Sequence, residues 1–404
     1  MEGCAHRMLV LGEAALCHTC MVNLAFAGRR TLGPERQVLS LSSRLASALD
    51  ISTDLQLSRS FVMVTTDYSR GELQRLAYET LSKCFQQHED EVLEIEILSP
   101  AIHPPDGFLM QDGLNLGITK EGLVLAYLEA RHRFFKDEDS HNTSSALQAT
   151  KVMLLFDPEH VTAANFRKRR LLRMKAEYDS QTGSVFHRAL RRELCLLNTI
   201  LTSPLHRQAK SPTLWHHRLW ILDPLVSIEL KQASQDQEAA FWRAEVTAVC
   251  RSGEQHPKNY YAWQYARRVM SRVNSLNIHD AIAQQVRDWC CRHPSDISGW
   301  SFLLFLLPGL QPVSRRRDLI KNVLDYAINL GLEQESLWVF IRTALAQGYF
   351  HEQDAELYQM VQDYGNTLKE IDTASAKSDQ VSRTLNWINV YGQSAAATKT
   401  CSLA

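Results

Sequence analysis

Apolar residues recur at three- and four-residue spacings through the second half of the chain. Three stripes of this kind can be read: Leu190, Leu194, Leu197, Ile200 and Leu201; Ile278, Ala281, Ile282, Val286 and Trp289; and Leu319, Ile320, Val323, Leu324, Ala327 and Ile328. These spacings place the apolar side chains on one face of a helix. No run of alternating, β-branched residues typical of strands occurs in this half. The pattern therefore predicts a series of amphipathic helices.

A tryptophan-centred segment recurs between these stripes. Its two clearest copies span residues 210–220 and 258–267. In each copy a lysine lies five residues before a tryptophan, and an arginine lies three or four residues after it. These residues are Lys210, Trp215 and Arg218 in the first copy, and Lys258, Trp263 and Arg267 in the second. In the second copy, Asn259 lies at the start of the helix that contains Trp263 and is predicted to cap that helix.

Fainter copies extend the series in both directions. Residues 157–167 fit with Ala164 in the tryptophan position. Residues 293–300 fit with Trp300 in that position but lack the arginine, and Trp338 marks a fifth copy. The shortest interval, from Trp263 to Trp300, is 37 residues, enough for two helices of roughly 12–15 residues and two turns. Repeats of this length must stack to bury their apolar faces. The sequence thus predicts an all-α fold, an α-α superhelix of antiparallel helical hairpins.

The repeats also suggest how the chain is divided. Residues 63–404 are predicted to form the helical-repeat domain, with the repeat core at about 145–345 and helices throughout about 118–392. Residues 1–62 lack repeat features and are predicted to lie outside this fold, or to precede a translation start at Met63. Polar composition predicts a loop at 99–113, linkers at 136–145 and 366–382, and a loose tail at 394–404.

Composition limits the classes of function. The chain has 404 residues, 45% hydrophobic and 22% charged, with a net charge of −1, an ordinary globular composition. Near-neutral charge gives no reason to expect a nucleic-acid partner, and we interpret the basic run at 167–170 as a solvated helix face. No apolar stretch is long enough to predict a transmembrane helix. Nine scattered cysteines lack disulfide or zinc spacing and favour a cytoplasmic location.

The repeat resembles that of protein prenyltransferase α subunits. The pattern Lys-x-Tyr-x-x-Trp-His-His-Arg, followed by a Trp-Ile-Leu-type helix, is best matched around Trp215. Pro212 replaces the usual tyrosine, as in a divergent, repeat-containing branch of that family. The resemblance covers about residues 145–345. It implies a crescent of helical hairpins that wraps around a β subunit.

The resemblance also implies roles for particular residues. In such enzymes an isoprenoid moves from a diphosphate to a protein thiolate, and positioned cations stabilise the leaving diphosphate. Lys210, Lys258 and Tyr260 match the α-subunit residues that extend toward that diphosphate. Zinc and the isoprenoid diphosphate are expected on the β subunit, and no cofactor or metal is expected on this chain.

The other motif residues are predicted to build or border the repeats. Trp215, Trp263, Trp300 and Trp338 should fill the layers between hairpins. Arg218 is grouped with them as a structural repeat residue, although bridging helices and facing a partner both remain open for the repeat arginines. His216, His217 and Arg267 are predicted to lie at the rim or to contact a partner.

Two functions of different class remain. The first is an α-type subunit of a heterodimeric protein prenyltransferase, most simply for geranylgeranyl transfer to a cysteine in the C-terminal region of a protein substrate. The His-His-Arg-Leu-Trp-Ile-Leu helix favours a β subunit of the Rab geranylgeranyltransferase type. The alternative is a non-catalytic helical-repeat scaffold for protein interactions, favoured by Ala164 and by the arginine missing near Trp300. A shared surface for Lys210, Lys258 and Tyr260 would favour the first.

Overall fold

A computed structural model of the chain describes residues 68–105, 107–139, 143–346, 355–371 and 376–401. The prediction for residues 1–62 lies outside these ranges, and the predicted domain boundary stays a prediction. Within the described ranges the chain forms fifteen α-helices and one small sheet. The predicted all-α repeat fold is confirmed.

The first elements are α1 (Arg70–Gln87), β1 (Glu94–Ile97), β2 (Leu109–Asp112), β3 (Asn115–Ile118), α2 (Lys120–Asp139) and α3 (Thr143–Phe156). The repeats follow as α4 (Val161–Glu177), α5 (Val185–Leu201), the short α6 (His206–Ala209), α7 (Pro212–Glu229), α8 (Gln235–Gln255), α9 (Tyr260–Met270) and α10 (Leu276–Arg292). The last are α11 (Ile297–Leu306), a 3₁₀ turn (Leu307–Gly309), α12 (Val313–Asn329), α13 (Glu335–Ala346), α14 (Ala355–Ile371) and α15 (Ala376–Cys401).

The small sheet was not predicted. Its strand order is β1-β3-β2, with β1 parallel and β2 antiparallel to β3. Each strand has four residues, too few for a period-two pattern to stand out. The sheet is tied to α5, because the Leu93 and Ile95 amides donate to Thr199 Oγ1 at 3.0 Å and Ser203 Oγ at 2.8 Å. The prediction of a loop at 99–113 is therefore wrong for Leu109–Asp112, which form β2.

Three predictions of irregular structure are also wrong in part. α2 extends into the predicted 136–145 linker and α3 begins within it. α14 and α15 occupy most of 366–382, and α15 continues to Cys401, where a loose tail was predicted. Polar composition misled here because one buried stripe is enough to hold a surface helix. In α14 that stripe is Leu357, Val361 and Gly365.

The hairpins stack in two parallel layers. One layer contains the first helix of each hairpin, in the order α4, α7, α9, α11 and α13, and each contacts the next. The other contains second helices, in which α8 contacts α10 and α10 contacts α12. Each repeat therefore buries its apolar surface only against its neighbours, as stacking requires.

Tryptophans fill the space between the layers. Trp215, Trp263, Trp300 and Trp338 are each at most 3% exposed. The Trp263 ring lies 5.0 Å from Trp289 of α10 in its own hairpin and 5.3 Å from Phe302 of α11 in the next hairpin. A single indole of α9 thus joins two consecutive repeats.

Replacing Trp263 with alanine should open a cavity at this junction. We expect the free energy of unfolding to fall by about 3–5 kcal/mol, the usual cost of removing a buried aromatic side chain. The matched control is Trp220→Ala, because Trp220 is only half-buried and should cost clearly less. Equal losses in the two variants, measured by denaturant unfolding, would contradict the core role of Trp263.

Candidate functional site

In four of the five repeats, the first helix begins with a capping residue four positions before the tryptophan position. These residues are His160 for α4, Ser211 for α7, Asn259 for α9 and Asp296 for α11. Each side chain accepts a hydrogen bond from a free amide of the first turn, which stabilises the helix start. The prediction that Asn259 caps its helix is confirmed.

These capping positions also bond to the preceding repeat. Asn259 Nδ2 donates to the Ala209 carbonyl at 2.9 Å and to Ser252 Oγ at 3.0 Å. The Ser211 hydroxyl donates to the Glu159 carboxylate, and Ser211 Oγ lies 3.1 Å from the Pro158 carbonyl oxygen. At the next junction, the Lys258 amide donates to Asp296 Oδ2 at 2.5 Å. A row of hydrogen bonds therefore holds the first-helix N-termini together, and we call this row the junction edge.

The tryptophans reinforce the same turns. The indole Nε1 atoms of Trp215, Trp300 and Trp338 donate to the carbonyls of Ala209, Pro294 and Leu332, at 2.8, 2.9 and 2.8 Å. In each case the acceptor lies six residues before the tryptophan. The indole nitrogen of Trp263 is buried and has no hydrogen-bond partner among the described residues.

The Trp263 copy departs from the others in its backbone as well. Lys258 has a φ of 62° and is the non-glycine residue with positive φ in the described chain. This left-handed conformation is uncommon for lysine and costs free energy. Its amide bond to Asp296 helps to fix this backbone.

The junction edge brings together the three residues predicted for diphosphate contact. Because Asn259 bonds the Ala209 carbonyl, the turn that carries Lys210 lies directly against the turn that carries Lys258. Lys258 is exposed, Lys210 is half-buried, and Tyr260 is 54% exposed at the first position of α9. Within the described residues neither lysine has a carboxylate partner. The edge therefore presents two lysine side chains without an ion pair among the described residues, beside an exposed phenol and the Asp296 carboxylate that accepts the Lys258 amide.

The two helix starts differ in charge. Glu159 accepts hydrogen bonds from the hydroxyls of Ser211 and Thr213, the latter at 2.5 Å, so a carboxylate lies at the positive end of α7. At the start of α9, the residue in the position of Glu159 is Lys210. A helix N-terminus beside cations attracts an anion, whereas one beside a carboxylate is already neutralised. The start of α9 thus has a lysine on each of the two adjoining turns, together with the Asp296 carboxylate at the Lys258 amide.

A histidine that the sequence left unassigned lies next to this site. His256 is 8% exposed, its ring is 5.4 Å from that of His206, and its Nε2 lies 3.2 Å from the Ser203 carbonyl. Burial lowers the pKa of His256; the contact with the Ser203 carbonyl opposes this shift, and the nearby His206 and Lys210 add to it. Its spacing along the chain carried no signal, because the stacking of repeats creates the contact.

The repeat arginines bridge helices inside the stack. Arg218 is 1% exposed, and it bonds the Glu245 carboxylate of α8 and the Tyr265 hydroxyl of α9. Arg167, part of the run interpreted as a solvated face, is 4% exposed and pairs with Glu193 at 2.5 Å. Buried charges of this kind need such partners. For Arg218 the geometry favours the bridging interpretation.

The two adjacent histidines separate in the structure. His216 is exposed, whereas His217 is fully buried, so the prediction that His217 lies at the rim is wrong. Neighbours on a helix point about 100° apart, and His217 points at the interior, 3.5 Å from Glu193 Oε1. Burial, opposed by Glu193, lowers the pKa of His217 to about 4.

Arg267 lies between repeats. It is half-buried, donates to Ser301 Oγ of α11 at 2.9 Å, and covers the Phe302 and Phe305 rings at 5.7 and 5.6 Å. A partner contact for Arg267 stays a prediction.

His217 should make stability fall with acid. Because the pKa of His217 is lower in the folded than in the unfolded chain, protonation favours the unfolded chain. The contribution of neutral His217 to the free energy of unfolding is therefore full above pH 6.5 and is lost as the pH falls toward 4. We expect His217→Asn to reduce the slope of unfolding free energy against pH in this window, by up to about 1.4 kcal/mol per pH unit. The exposed neighbour supplies the control, His216→Asn. Parallel slopes for wild type and His217→Asn would show that His217 titrates normally.

The described residues offer few other chemical centres. No group of three or more His, Cys, Asp or Glu side chains there could hold a metal ion. Among the described helices, none combines the length and apolarity that a membrane span requires.

Comparison with known proteins identifies relatives of the repeat. The chain is 27% identical over 186 residues to protein prenyltransferase alpha subunit repeat-containing protein 1-A of Xenopus laevis, covering 42% of this chain and 38% of that protein. It is 25% identical over 181 residues to the Homo sapiens protein 1 of that name, covering 42% and 41%. The resemblance to the prenyltransferase α-subunit repeat is confirmed.

More distant matches agree with the same repeat. The geranylgeranyl transferase type-2 subunit alpha of Saccharomyces cerevisiae is 21% identical over 206 residues, covering 49% of this chain and 57% of that subunit. A family model described as the ECM9 middle domain matches residues 219–328. The match spans less than half the length of the repeat-containing relatives. This chain thus shares the prenyltransferase α-subunit repeat with these proteins. The shared repeat does not by itself give this chain the activity of the whole relatives.

Proposed function

We propose that this chain is the α-type subunit of a heterodimeric protein prenyltransferase. The reaction would be geranylgeranyl transfer to a cysteine in the C-terminal region of a protein substrate. The supporting observation is the junction edge, where the turns of Lys210, Lys258 and Tyr260 lie together and neither lysine side chain forms an ion pair among the described residues. The names of the geranylgeranyl transferase relatives support the same class of reaction.

The chemistry requires charge stabilisation rather than a nucleophile from this chain. In prenyl transfer a sulfur–carbon bond forms, the carbon–oxygen bond to the diphosphate breaks, and the electron pair leaves with the diphosphate. A partner β subunit would supply the zinc and the isoprenoid site. Lys258 Nζ and the Tyr260 hydroxyl would act on the departing diphosphate oxygens, where charge increases in the transition state.

The backbone at Lys258 fits this role. A strained conformation persists only where its surroundings enforce it, and such residues concentrate at functional sites. Asp296, which belongs to the next repeat, accepts a hydrogen bond from the Lys258 amide. The lysine side chain therefore extends from a backbone that is held in place. A fixed cation stabilises developing charge without reorganising when the reaction occurs.

The two lysines should contribute unequally. Pro212 stands at the first position of α7, where the family pattern has the tyrosine, and Glu159 lies at that helix start. Lys258 and Tyr260 keep both family residues. We therefore assign the principal contact to Lys258 and a smaller one to Lys210.

The partner would be a β subunit of the Rab geranylgeranyltransferase type. A permanent subunit interface of this kind exceeds the standard size of about 1,600 Å². The exposed apolar residues at the starts of the first helices, Val161, Tyr260 and Ile297, would contribute to it. They lie along the junction edge and would bring the partner's active site to Lys258.

The non-catalytic scaffold remains a second candidate, supported by one observation. The α7 start has lost the family tyrosine, and Glu159 opposes anion binding there. If the start of α9 also binds no anion, the repeats serve only to bind a protein partner.

Transfer activity distinguishes the two functions. The chain is co-expressed with a Rab-type β subunit, the complex is isolated on a sizing column, and single-turnover transfer to a protein thiol is measured. Lys258→Ala should slow transfer about tenfold or more, as expected when one group that stabilises transition-state charge is lost. Lys210→Ala should slow it by the same factor or less. Complex formation should be unaffected in both.

Two control variants separate the effect of the Lys258 charge from the effect of its backbone conformation. Lys258→Arg keeps the charge and should retain most activity, whereas Lys258→Gly removes the charge and also relieves the left-handed strain. The glycine variant should therefore be as stable as wild type, yet slow. A Lys258→Ala complex that transfers at the wild-type rate would contradict the diphosphate role of Lys258. A wild-type complex without transfer activity would favour the scaffold, and chains that never associate would remove the proposed partner.

A further inference from the structure

A cleft away from the junction edge has no role in the proposed function. It lies where α3, α4 and α5 meet the end of α1, and its volume is about 370 Å³. Pockets for small ligands begin at about 300 Å³. The cleft shares no residue with the Lys210–Lys258 edge, so its occupant would be independent of prenyl transfer.

Positive charge exceeds negative charge on the cleft walls. Its lining carries five cationic side chains, Lys151, Arg167, Arg170, Arg188 and Arg192, and three carboxylates, Glu89, Glu91 and Glu193. Three of these cations are already paired. Lys151 and Arg192 bond Glu89 at 3.0 and 2.9 Å, and Arg167 bonds Glu193 at 2.5 Å.

Two arginines remain for a ligand. Neither Arg170 of α4 nor Arg188 of α5 has a carboxylate partner within the described residues, and Arg188 bonds the Gly183 carbonyl through Nη1 alone. A guanidinium presents a planar fork of donors that matches a carboxylate. Arg170 and Arg188 therefore form the anion-binding end of the cleft.

The remaining wall offers apolar surface. It includes the side chains of Leu171, Met174, Val185, Ala189 and Leu196. An anion that carries an apolar group can therefore bind the arginines and cover this surface at the same time.

We propose that this cleft binds the C-terminal end of a peptide chain with an apolar last residue. The terminal carboxylate binds Arg170 and Arg188, and the last side chain packs on the apolar wall. A chain end offers both groups within one residue. A free phosphate offers only the first of them.

The test uses the full-length chain and two matched probes. A fluorescein-labelled peptide, Gly-Ser-Gly-Ser-Leu-Leu, carries either a free C-terminal carboxylate or a C-terminal amide. Fluorescence anisotropy measures each dissociation constant on wild-type protein. We expect the amide to bind at least tenfold more weakly, because it lacks the charge that the arginines recognise.

Variants locate the site. Arg170→Gln and Arg188→Gln should each weaken binding of the acid peptide at least fivefold. Arg173→Gln is the control, because Arg173 lies on the same helix, is exposed and does not line the cleft. Circular dichroism melting checks that each variant is folded.

Three results would overturn the proposal. The first is equal binding of the acid and amide peptides, or no binding of the acid peptide at millimolar protein. The second is displacement of the peptide by inorganic phosphate at equal concentration, which would indicate a simple anion site. The third is an effect of Arg173→Gln as large as that of the cleft variants.

Discussion

The hydrogen bonds at the first-helix N-termini fix where every other feature of this protein lies. A capping residue must satisfy free amides of its own helix, and here the capping positions also bond a turn of the neighbouring repeat. Asp296 illustrates both tasks, because Oδ1 caps α11 at 2.9 Å while Oδ2 accepts the Lys258 amide at 2.5 Å. The same contacts that stack the repeats therefore orient the lysines.

Burial of large side chains gives this arrangement its stability. Trp263 contacts one aromatic ring of its own hairpin and one of the next, and Arg218 joins three helices through Glu245 and Tyr265. A buried ion pair adds little net stability over an apolar equivalent, but losing one partner is costly. Such pairs therefore favour one relative position of the helices. The tryptophans stabilise the stack, and the arginines select its geometry.

The repeats could be predicted from the sequence because helical periodicity and tryptophan spacing are local signals. Asn259 as a cap, and the lysines in equivalent turns, followed from the same spacing. The sheet at 94–118 could not be predicted, since its strands are short and are held by α5, about a hundred residues away. His256 beside Lys210, the burial of His217 and the cleft at Arg170 arise only when separate helices meet. Residue spacing contains no information about such contacts.

The most direct measurement concerns the two oxygens of Asp296. Asp296→Asn preserves the shape and the capping oxygen, but it replaces the acceptor of the Lys258 amide with an NH₂ group. If this carboxylate joins the repeats, the free energy of unfolding should fall by about 1–3 kcal/mol. Hydrogen exchange at the Lys258 amide should accelerate in the same variant. Unchanged stability together with unchanged exchange at Lys258 would contradict the claim that the capping residues hold the junction edge.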